Sequence, residues 1–155
     1  MRQVARTFAG VEHRIELVRT LRGTRYYNDS IGTSPSRTIA GLRSFSEKVI
    51  LIAGGYDKHI PFDVLGPEIV DHVKLLILCG ATADKIRACV ENAPNYHGQP
   101  EMVDISGFKA AVETASQRAS DGDVVLLSPA CAAFDQFKNF MERGKVFKQI
   151  VSELK

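Results

Sequence analysis

The chain has 155 residues, 45% hydrophobic and 25% charged, with a formal net charge of +2 at pH 7. These values are ordinary for a globular domain with a core of its own. The small net charge provides no electrostatic footprint for nucleic acid, and no apolar run is long enough to span a bilayer, so we expect neither partner.

The N-terminal part of the chain predicts the end of a helix followed by a hairpin. Val4 and Phe8 lie one helical turn apart, and we assign residues 1–10 to a helix of a preceding domain and residues 11–155 to the domain itself. Residues 13–21 and 25–28 read as two strands joined by a turn, which predicts a β-hairpin. Ser34 before Pro35 is typical of a helix start, with serine at the N-cap and proline at the first helical position.

From Pro35 onward, helices and strands alternate. The predicted strands are residues 49–53, 75–78, 101–105 and 124–127. The predicted helices begin at Pro35 and then cover residues 63–73, 84–92 and 107–120, with a last helix running from residue 134 towards the end. This alternation predicts an α/β fold with three layers, a mainly parallel sheet and helices on both faces.

The chain is organised around residues 124–140. Four apolar residues form a buried strand, and Ser128 and Pro129 end it. Small side chains at residues 130–133 then lead into the last helix, with Met141 among its inward positions. Backbone N–H groups at such a helix start favour anions, although an ordinary strand–turn–helix explains the same pattern.

In a parallel sheet, ligands bind beyond the carboxyl ends of the strands, and candidate residues lie in those loops. Asp29 could accept from ribose hydroxyls or hold a cation through water, or simply form a strand-end turn. Thr33 offers a hydroxyl beside a helix start. Lys58 follows Gly54-Gly55 and could hold an anion, or be a solvated lysine beside Asp57.

Several kinds of site are not indicated. The sequence has no GxxxxGK[ST] phosphate loop, no GxGxxG fingerprint and no GxSxG motif around Ser128, so binding of a nucleoside triphosphate by this chain alone is not expected. The four histidines and three cysteines have no metal-ligand spacing, and we expect no metal site. The odd number of cysteines favours a reducing compartment, so we expect a cytoplasmic protein.

Taken together, the chain from about residue 8 to residue 155 resembles the C-terminal domain of the Mur ligases, in the branch that adds D-glutamate. The segments that carry the resemblance are Glu12-His13-Arg14-Ile15-Glu16, Tyr27-Asn28-Asp29-Ser30 with Thr33, Gly54-Gly55 with Lys58, Leu127-Ser128-Pro129-Ala130-Cys131-Ala132, Asp135-Gln136-Phe137-Lys138-Asn139-Phe140, and Arg143-Gly144.

The resemblance implies a Rossmann-like fold and an ATP-dependent ligase of bacterial peptidoglycan synthesis, in the cytoplasm. In this family ATP phosphorylates the carboxylate of UDP-N-acetylmuramoyl-L-alanine, and the amine of D-glutamate then displaces phosphate. An N-terminal domain holds the UDP-sugar, and a central domain holds most of the ATP and Mg²⁺. The C-terminal domain brings D-glutamate and closes over ATP, so the chain alone is expected to be inactive.

The resemblance also implies roles for individual residues. Arg14 and Asp29 would contact the nucleotide, and Thr33, Lys58, Ala133 and Phe140 would bind D-glutamate; no catalytic residue is expected in this chain. Many relatives have lysine at the position of Ile31 and serine at that of Ala133, which removes two donors. The replacement donors proposed for them are Ser34, Tyr56 and His59.

Other interpretations are possible from the sequence. A stand-alone module that binds a small acid or nucleotide without catalysis is the main alternative. A folate-type ligase with a related last domain is a second alternative. The sequence of residues 128–140 argues against it. A purely structural protein is disfavoured because polar loops gather at one end of the predicted sheet.

Overall fold

The computed structural model describes residues 12–133 and 137–155. The helix predicted in residues 1–10 lies outside the described residues. The elements in chain order are β1 (Glu16–Leu21), β2 (Thr24–Asn28), α1 (Pro35–Leu42), β3 (Val49–Ala53), α2 (Leu65–His72), β4 (Val73–Leu78), α3 (Ala83–Glu91), β5 (Glu101–Asp104), α4 (Phe108–Arg118), β6 (Val124–Leu127) and α5 (Phe140–Glu153).

The six strands form one mixed sheet in the order β1-β2-β6-β3-β4-β5. β1 and β2 are the antiparallel hairpin, and every other neighbouring pair is parallel. β6, the last strand in sequence, lies between β2 and β3, with Leu126 opposite both Tyr27 and Leu51. The predicted hairpin and the mainly parallel sheet are confirmed.

Helices cover both faces of the sheet, because successive side chains of a strand point to opposite sides. In β6, Val124 and Leu126 pack in the cluster that contains α1, α2 and α3. Val125 and Leu127 pack in the other cluster, with α4 and α5. All four side chains are fully buried, which explains why the strand is a continuous apolar run. The three-layer α/β architecture is therefore confirmed.

Several predicted boundaries in the first half of the chain differ from the structure, two of them for an instructive reason. β1 begins at Glu16 rather than at residue 13, because His13 and Ile15 have positive φ values of 67° and 48°, a backbone region outside the strand conformation. The helix predicted at residues 63–73 covers Leu65–His72, and Val73 already belongs to β4. An apolar residue such as Val73 fits either element, so periodicity alone did not separate them.

The last helix begins later than predicted. α5 starts at Phe140, and its N-cap Asn139 accepts a hydrogen bond from the N–H of Glu142 at 2.9 Å. Met141, predicted to face inward, is 47% exposed. Cys131, Ala132 and Ala133 lie in irregular backbone, so the described part of this segment does not place a helix N-terminus at the small residues.

Among the described residues, no helix combines the length and the apolar composition that crossing a bilayer requires.

Candidate functional site

The loops that follow β2, β3, β4 and β6 meet at one edge of the sheet, because these strands are parallel neighbours. We call residues 29–34, 54–62, 80–83 and 128–133 the rim loops. The 128–133 loop is central, as expected from the position of β6. Its backbone joins two of the other loops through hydrogen bonds from Ala130 N–H to Gly32 O (2.8 Å), from Gly54 N–H to Pro129 O (2.9 Å) and from Tyr56 N–H to Ala132 O (2.9 Å).

A small hollow lies between three of these loops, and we call it the rim hollow. It is lined by Thr33, Tyr56, Lys58, Ile60, Phe62, Ala130, Cys131 and Ala132. Thr33 and Lys58, which the sequence placed in the same predicted site, are thus brought together from loops 25 residues apart. A hydroxyl and an ammonium at one opening suit a carboxylate or another small anion.

The turn before Lys58 requires two glycines. Gly54 has a φ of 116°, and a Cβ at this position would overlap the carbonyl oxygen of Cys79. A Cβ on Gly55 would lie 2.6 Å from the carbonyl oxygen of Ala132. The absent side chains therefore allow the 54–62 loop to pack directly against its neighbours.

Lys58 is not neutralised by the aspartate beside it in sequence. Asp57 pairs instead with Lys85 of α3, with 2.5 Å between its Oδ2 and the lysine Nζ. The hydrogen bond from Lys85 is the main reason that the pKa of Asp57 is lowered. Within residues 12–133 and 137–155, no carboxylate forms an ion pair with the exposed Lys58. Its ammonium thus remains available for an anion at the rim hollow.

Asp29 is buried at the carboxyl end of β2, with 3% of its surface exposed. Its Oδ2 accepts from Ser128 Oγ at 2.7 Å and its Oδ1 accepts from the N–H of Ile15 at 3.2 Å. Burial raises the pKa of Asp29 to about 6, although these two hydrogen bonds and the charges of Arg14 and Arg37 act in the opposite direction. Both carboxylate oxygens are therefore engaged within the chain.

Ser30, next in sequence, joins the rim to the start of α5. Its Oγ donates to the carbonyl oxygen of Phe140 at 2.7 Å and accepts from Arg143 Nε at 3.0 Å. Arg143 Nη2 also donates to the carbonyl oxygen of Ser30 at 2.9 Å, and the arginine is 2% exposed. This buried guanidinium fixes α5 against the 29–34 loop.

The remaining predicted site residues are spread along the same edge. Arg14 is exposed and close enough to Asp29 to influence its pKa. Ala133 is 2% exposed and directly follows the hollow-lining Ala132. Phe140 contacts His13 edge-on, with 6.0 Å between ring centroids. In the described part of the chain, neither Ala133 nor Phe140 lines the rim hollow.

The fold also gathers Glu12, His13 and Glu16, whose possible ligand atoms lie within 4.8 Å of one another. Lys148 forms ion pairs with both carboxylates, with its Nζ 2.7 Å from Glu12 Oε2 and 3.2 Å from Glu16 Oε2. Burial lowers the pKa of His13, and its Nδ1 is 2.9 Å from the side-chain amide of Asn28. The group is an ion-pair network that connects the start of the domain to α5.

Two residues of the site were not singled out from the sequence. Arg143 was part of the family-like block but had no role assigned, and Thr82 was not considered. Thr82 is fully buried, and its Oγ1 accepts from the N–H of Gly55 at 3.0 Å. Its position in the 80–83 loop, which follows β4 at the carboxyl edge of the sheet, was the available signal.

A family profile described as "Mur ligase, glutamate ligase domain" matches residues 13–131. The match covers three of the rim loops completely and the central 128–133 loop as far as residue 131.

Similar curated proteins include the UDP-N-acetylmuramoylalanine–D-glutamate ligases of Acetivibrio thermocellus, 55% identical, and Clostridium beijerinckii, 54% identical. Each alignment covers 99% of this chain and 34% of the relative. The chain therefore spans about a third of the length of these proteins.

Two solved structures share the fold at low sequence identity. A murein peptide ligase from Psychrobacter arcticus matches with a TM-score of 0.64 and 12% identity, over 95% of this chain and 31% of that chain. A ligase domain from Haemophilus ducreyi matches with a TM-score of 0.58 and 13% identity, over 91% of this chain and 96% of that chain. At such identities the likeness concerns the Rossmann-like α/β fold alone.

Proposed function

Because the chain belongs to the Mur ligase family, we propose that its full-length protein is an ATP-dependent ligase of bacterial peptidoglycan synthesis. It adds D-glutamate to UDP-N-acetylmuramoyl-L-alanine in the cytoplasm. The relatives that match 99% of the chain carry this activity in their names. The chain itself is the domain that brings D-glutamate to the acyl donor. The acyl donor is held by domains outside this sequence.

The pairing of Thr33 with Lys58 at the rim hollow is the observation that supports this role. D-Glutamate has two carboxylates, and a charge-assisted hydrogen bond to one of them contributes about 1.5–3 kcal/mol. Asp57 does not compete for Lys58, since it pairs with Lys85. Tyr56, which lines the same hollow and is 43% exposed, is with Ser34 and His59 a candidate to replace the donors that many relatives have at positions 31 and 133.

Arg14, Asp29, Ala133 and Phe140 complete the proposed site. The exposed guanidinium of Arg14 suits a nucleotide phosphate, and Asp29 would reach a ribose hydroxyl through the lone pairs that its internal hydrogen bonds leave. The backbone around Ala133 and Phe140 would border the D-glutamate site once the domain closes. Closure would orient the amine and exclude water, the contributions expected of a mobile domain.

Within residues 12–133 and 137–155, neither Asp29 nor the Glu12–His13–Glu16 group fits a magnesium site. Mg²⁺ prefers carboxylate oxygens together with water and phosphate oxygens. Asp29 is buried, and the carboxylates of Glu12 and Glu16 both form ion pairs with Lys148. The metal of the proposed reaction is therefore assigned to the other domains.

The decisive experiment measures ADP release by the full-length protein with ATP, Mg²⁺, UDP-N-acetylmuramoyl-L-alanine and D-glutamate. We expect turnover that requires D-glutamate, and none from the 155-residue chain alone. Absence of D-glutamate-dependent turnover in the full-length protein would refute the proposed activity. Turnover by the chain alone would refute its assignment as a closing domain.

Lys58→Ala should raise the apparent KM for D-glutamate about 10- to 100-fold, since the lost hydrogen bond is worth one to two powers of ten in affinity. The KM for ATP should change much less. Lys109→Ala, which removes an exposed lysine from α4 on another face, is the control. An unchanged KM for D-glutamate in Lys58→Ala would remove this lysine from the site.

A further inference from the structure

Thr82 occupies the N-cap position of α3 without capping the helix through its side chain. Threonine at this position usually accepts a hydrogen bond from the first turn of its own helix. Here Oγ1 instead accepts from the N–H of Gly55 at 3.0 Å and lies 3.1 Å from Cys131 Sγ. The hydroxyl therefore connects α3 to two other loops rather than to its own helix.

Both hydrogen-bond partners of Thr82 either line the rim hollow or are next in sequence to a residue that does. Gly55 precedes Tyr56 and is three residues before Lys58, while Cys131 itself lines the hollow. Because Thr82 is fully buried, bulk water cannot easily take the place of its hydroxyl as an acceptor for the Gly55 N–H. A buried N–H that loses its acceptor destabilises the local backbone, and this would displace the turn at Gly55.

From this geometry we infer that Thr82 is a positioning residue for the acid-binding hollow, acting through the turn that carries Lys58. The inference rests on the proposed function. Two backbone hydrogen bonds already join the 54–62 loop to the 128–133 loop, and the Thr82 hydroxyl adds a buried contact to each of them at Gly55 and Cys131. A displacement of about 1 Å at a binding group is enough to weaken binding strongly.

The test compares Thr82→Val, which keeps the side-chain shape but removes the hydroxyl, with Thr82→Ser, which keeps the hydroxyl. In the full-length protein, Thr82→Val should raise the apparent KM for D-glutamate about tenfold and leave kcat and the KM for ATP within about threefold. Thr82→Ser should stay within about twofold of the wild type. A loss of stability with an unchanged KM for D-glutamate would overturn the inference.

The double variant Thr82→Val with Lys58→Ala shows whether the effect passes through Lys58. If Thr82 acts by placing the ammonium, its substitution should change the KM for D-glutamate little once the ammonium is absent. Full multiplication of the two single effects would instead show that Thr82 acts independently of Lys58, and would overturn the stated route.

Amide hydrogen exchange at Gly55 and Tyr56 decides the matter without any substrate. Thr82→Val should accelerate exchange at Gly55 at least tenfold more than at strand β3, and Thr82→Ser should not. Thr82→Ala serves if the valine variant does not fold. Unchanged exchange at Gly55 in Thr82→Val would overturn the inference. A wild-type protein that is inactive with D-glutamate would instead overturn the proposed function, and the exchange result would still show whether Thr82 holds the turn at Gly55.

Discussion

At the scale of single residues, Asp29 is a buried carboxylic acid whose hydrogen bonds also hold the rim loops together. Its carboxylate joins the segment that enters the domain, through Ile15, to the central loop, through Ser128. A glycine is needed on the adjoining helix, because a Cβ at Gly41 would lie 2.8 Å from Asp29 Oδ2. Burial disfavours the ionised form and raises the pKa of Asp29 to about 6.

We predict that Asp29→Asn removes part of the pH dependence of stability. The folded pKa is raised above that of the unfolded chain, so the contribution of Asp29 is fully present below about pH 4 and is lost as the pH rises through about 6. A shift of about two pKa units corresponds to roughly 3 kcal/mol. Relative to wild type, the variant should therefore gain free energy of unfolding between pH 4 and 7 in urea titrations.

Asp121→Asn, at an exposed aspartate in the turn before β6, is the matched control and should leave the pH profile unchanged. Parallel profiles for wild type and Asp29→Asn would contradict the buried, raised-pKa interpretation. The asparagine can keep the geometry, since its amide can donate to Ser128 Oγ while that hydroxyl donates to Thr38 Oγ1.

At the scale of elements, the helix start that the sequence marked, at α1, differs from the one that it missed, at α5. Ser34 and Pro35 do begin α1, but the serine hydroxyl does not cap it and lies 3.3 Å from Ser36 Oγ. Asn139 does cap α5, and Glu142 completes the start by accepting from the N–H of Lys138 at 2.9 Å. A serine before a proline therefore located a helix without identifying its capping interaction.

Asn139→Ala should lower the free energy of unfolding by about 1 kcal/mol, because an N–H of the first turn loses its acceptor. Ser34→Ala, with no capping bond to lose, should change it by a few tenths. Both are measured by urea denaturation with a common slope. Equal effects of the two substitutions would show that the side-chain bond of Asn139 does not stabilise α5.

The whole molecule depends on β6 being inserted between β2 and β3. This arrangement brings the loop after the last strand between loops that lie far earlier in sequence, and so creates the rim hollow. The side chains of β6 are in contact with helices on both faces, which makes the strand the structural centre of the domain.

Leu126→Ala should therefore destabilise the domain by about 2–5 kcal/mol, through lost burial and a cavity that the surrounding layers cannot fill. Leu17→Ala in the edge strand β1 is the control, since that leucine is 50% exposed, and it should cost less than about 0.5 kcal/mol. Thermal or urea unfolding distinguishes them. Similar small effects at both sites would contradict a central role for β6.

The sequence alone determined the elements whose pattern is local. The apolar runs of β3 and β6 were predicted with their observed ends, and the alternation of helices and strands identified the α/β class. It also indicated which loops share an edge, because parallel strands align their carboxyl ends. Thr33 and Lys58 could thus be placed in loops at one edge of the sheet, and the family resemblance assigned them to one site.

Only the tertiary structure decided what depends on contacts between distant segments. The pairing of Asp57 with Lys85, the burial of Asp29 against Ser128 and the bridging by Thr82 join residues 27 to 99 positions apart. The contact between Ser30 and Arg143, which fixes α5 against the 29–34 loop, likewise joins segments far apart in sequence. Local propensity holds no information on such contacts, because their free energy arises only when the sheet has brought the loops together.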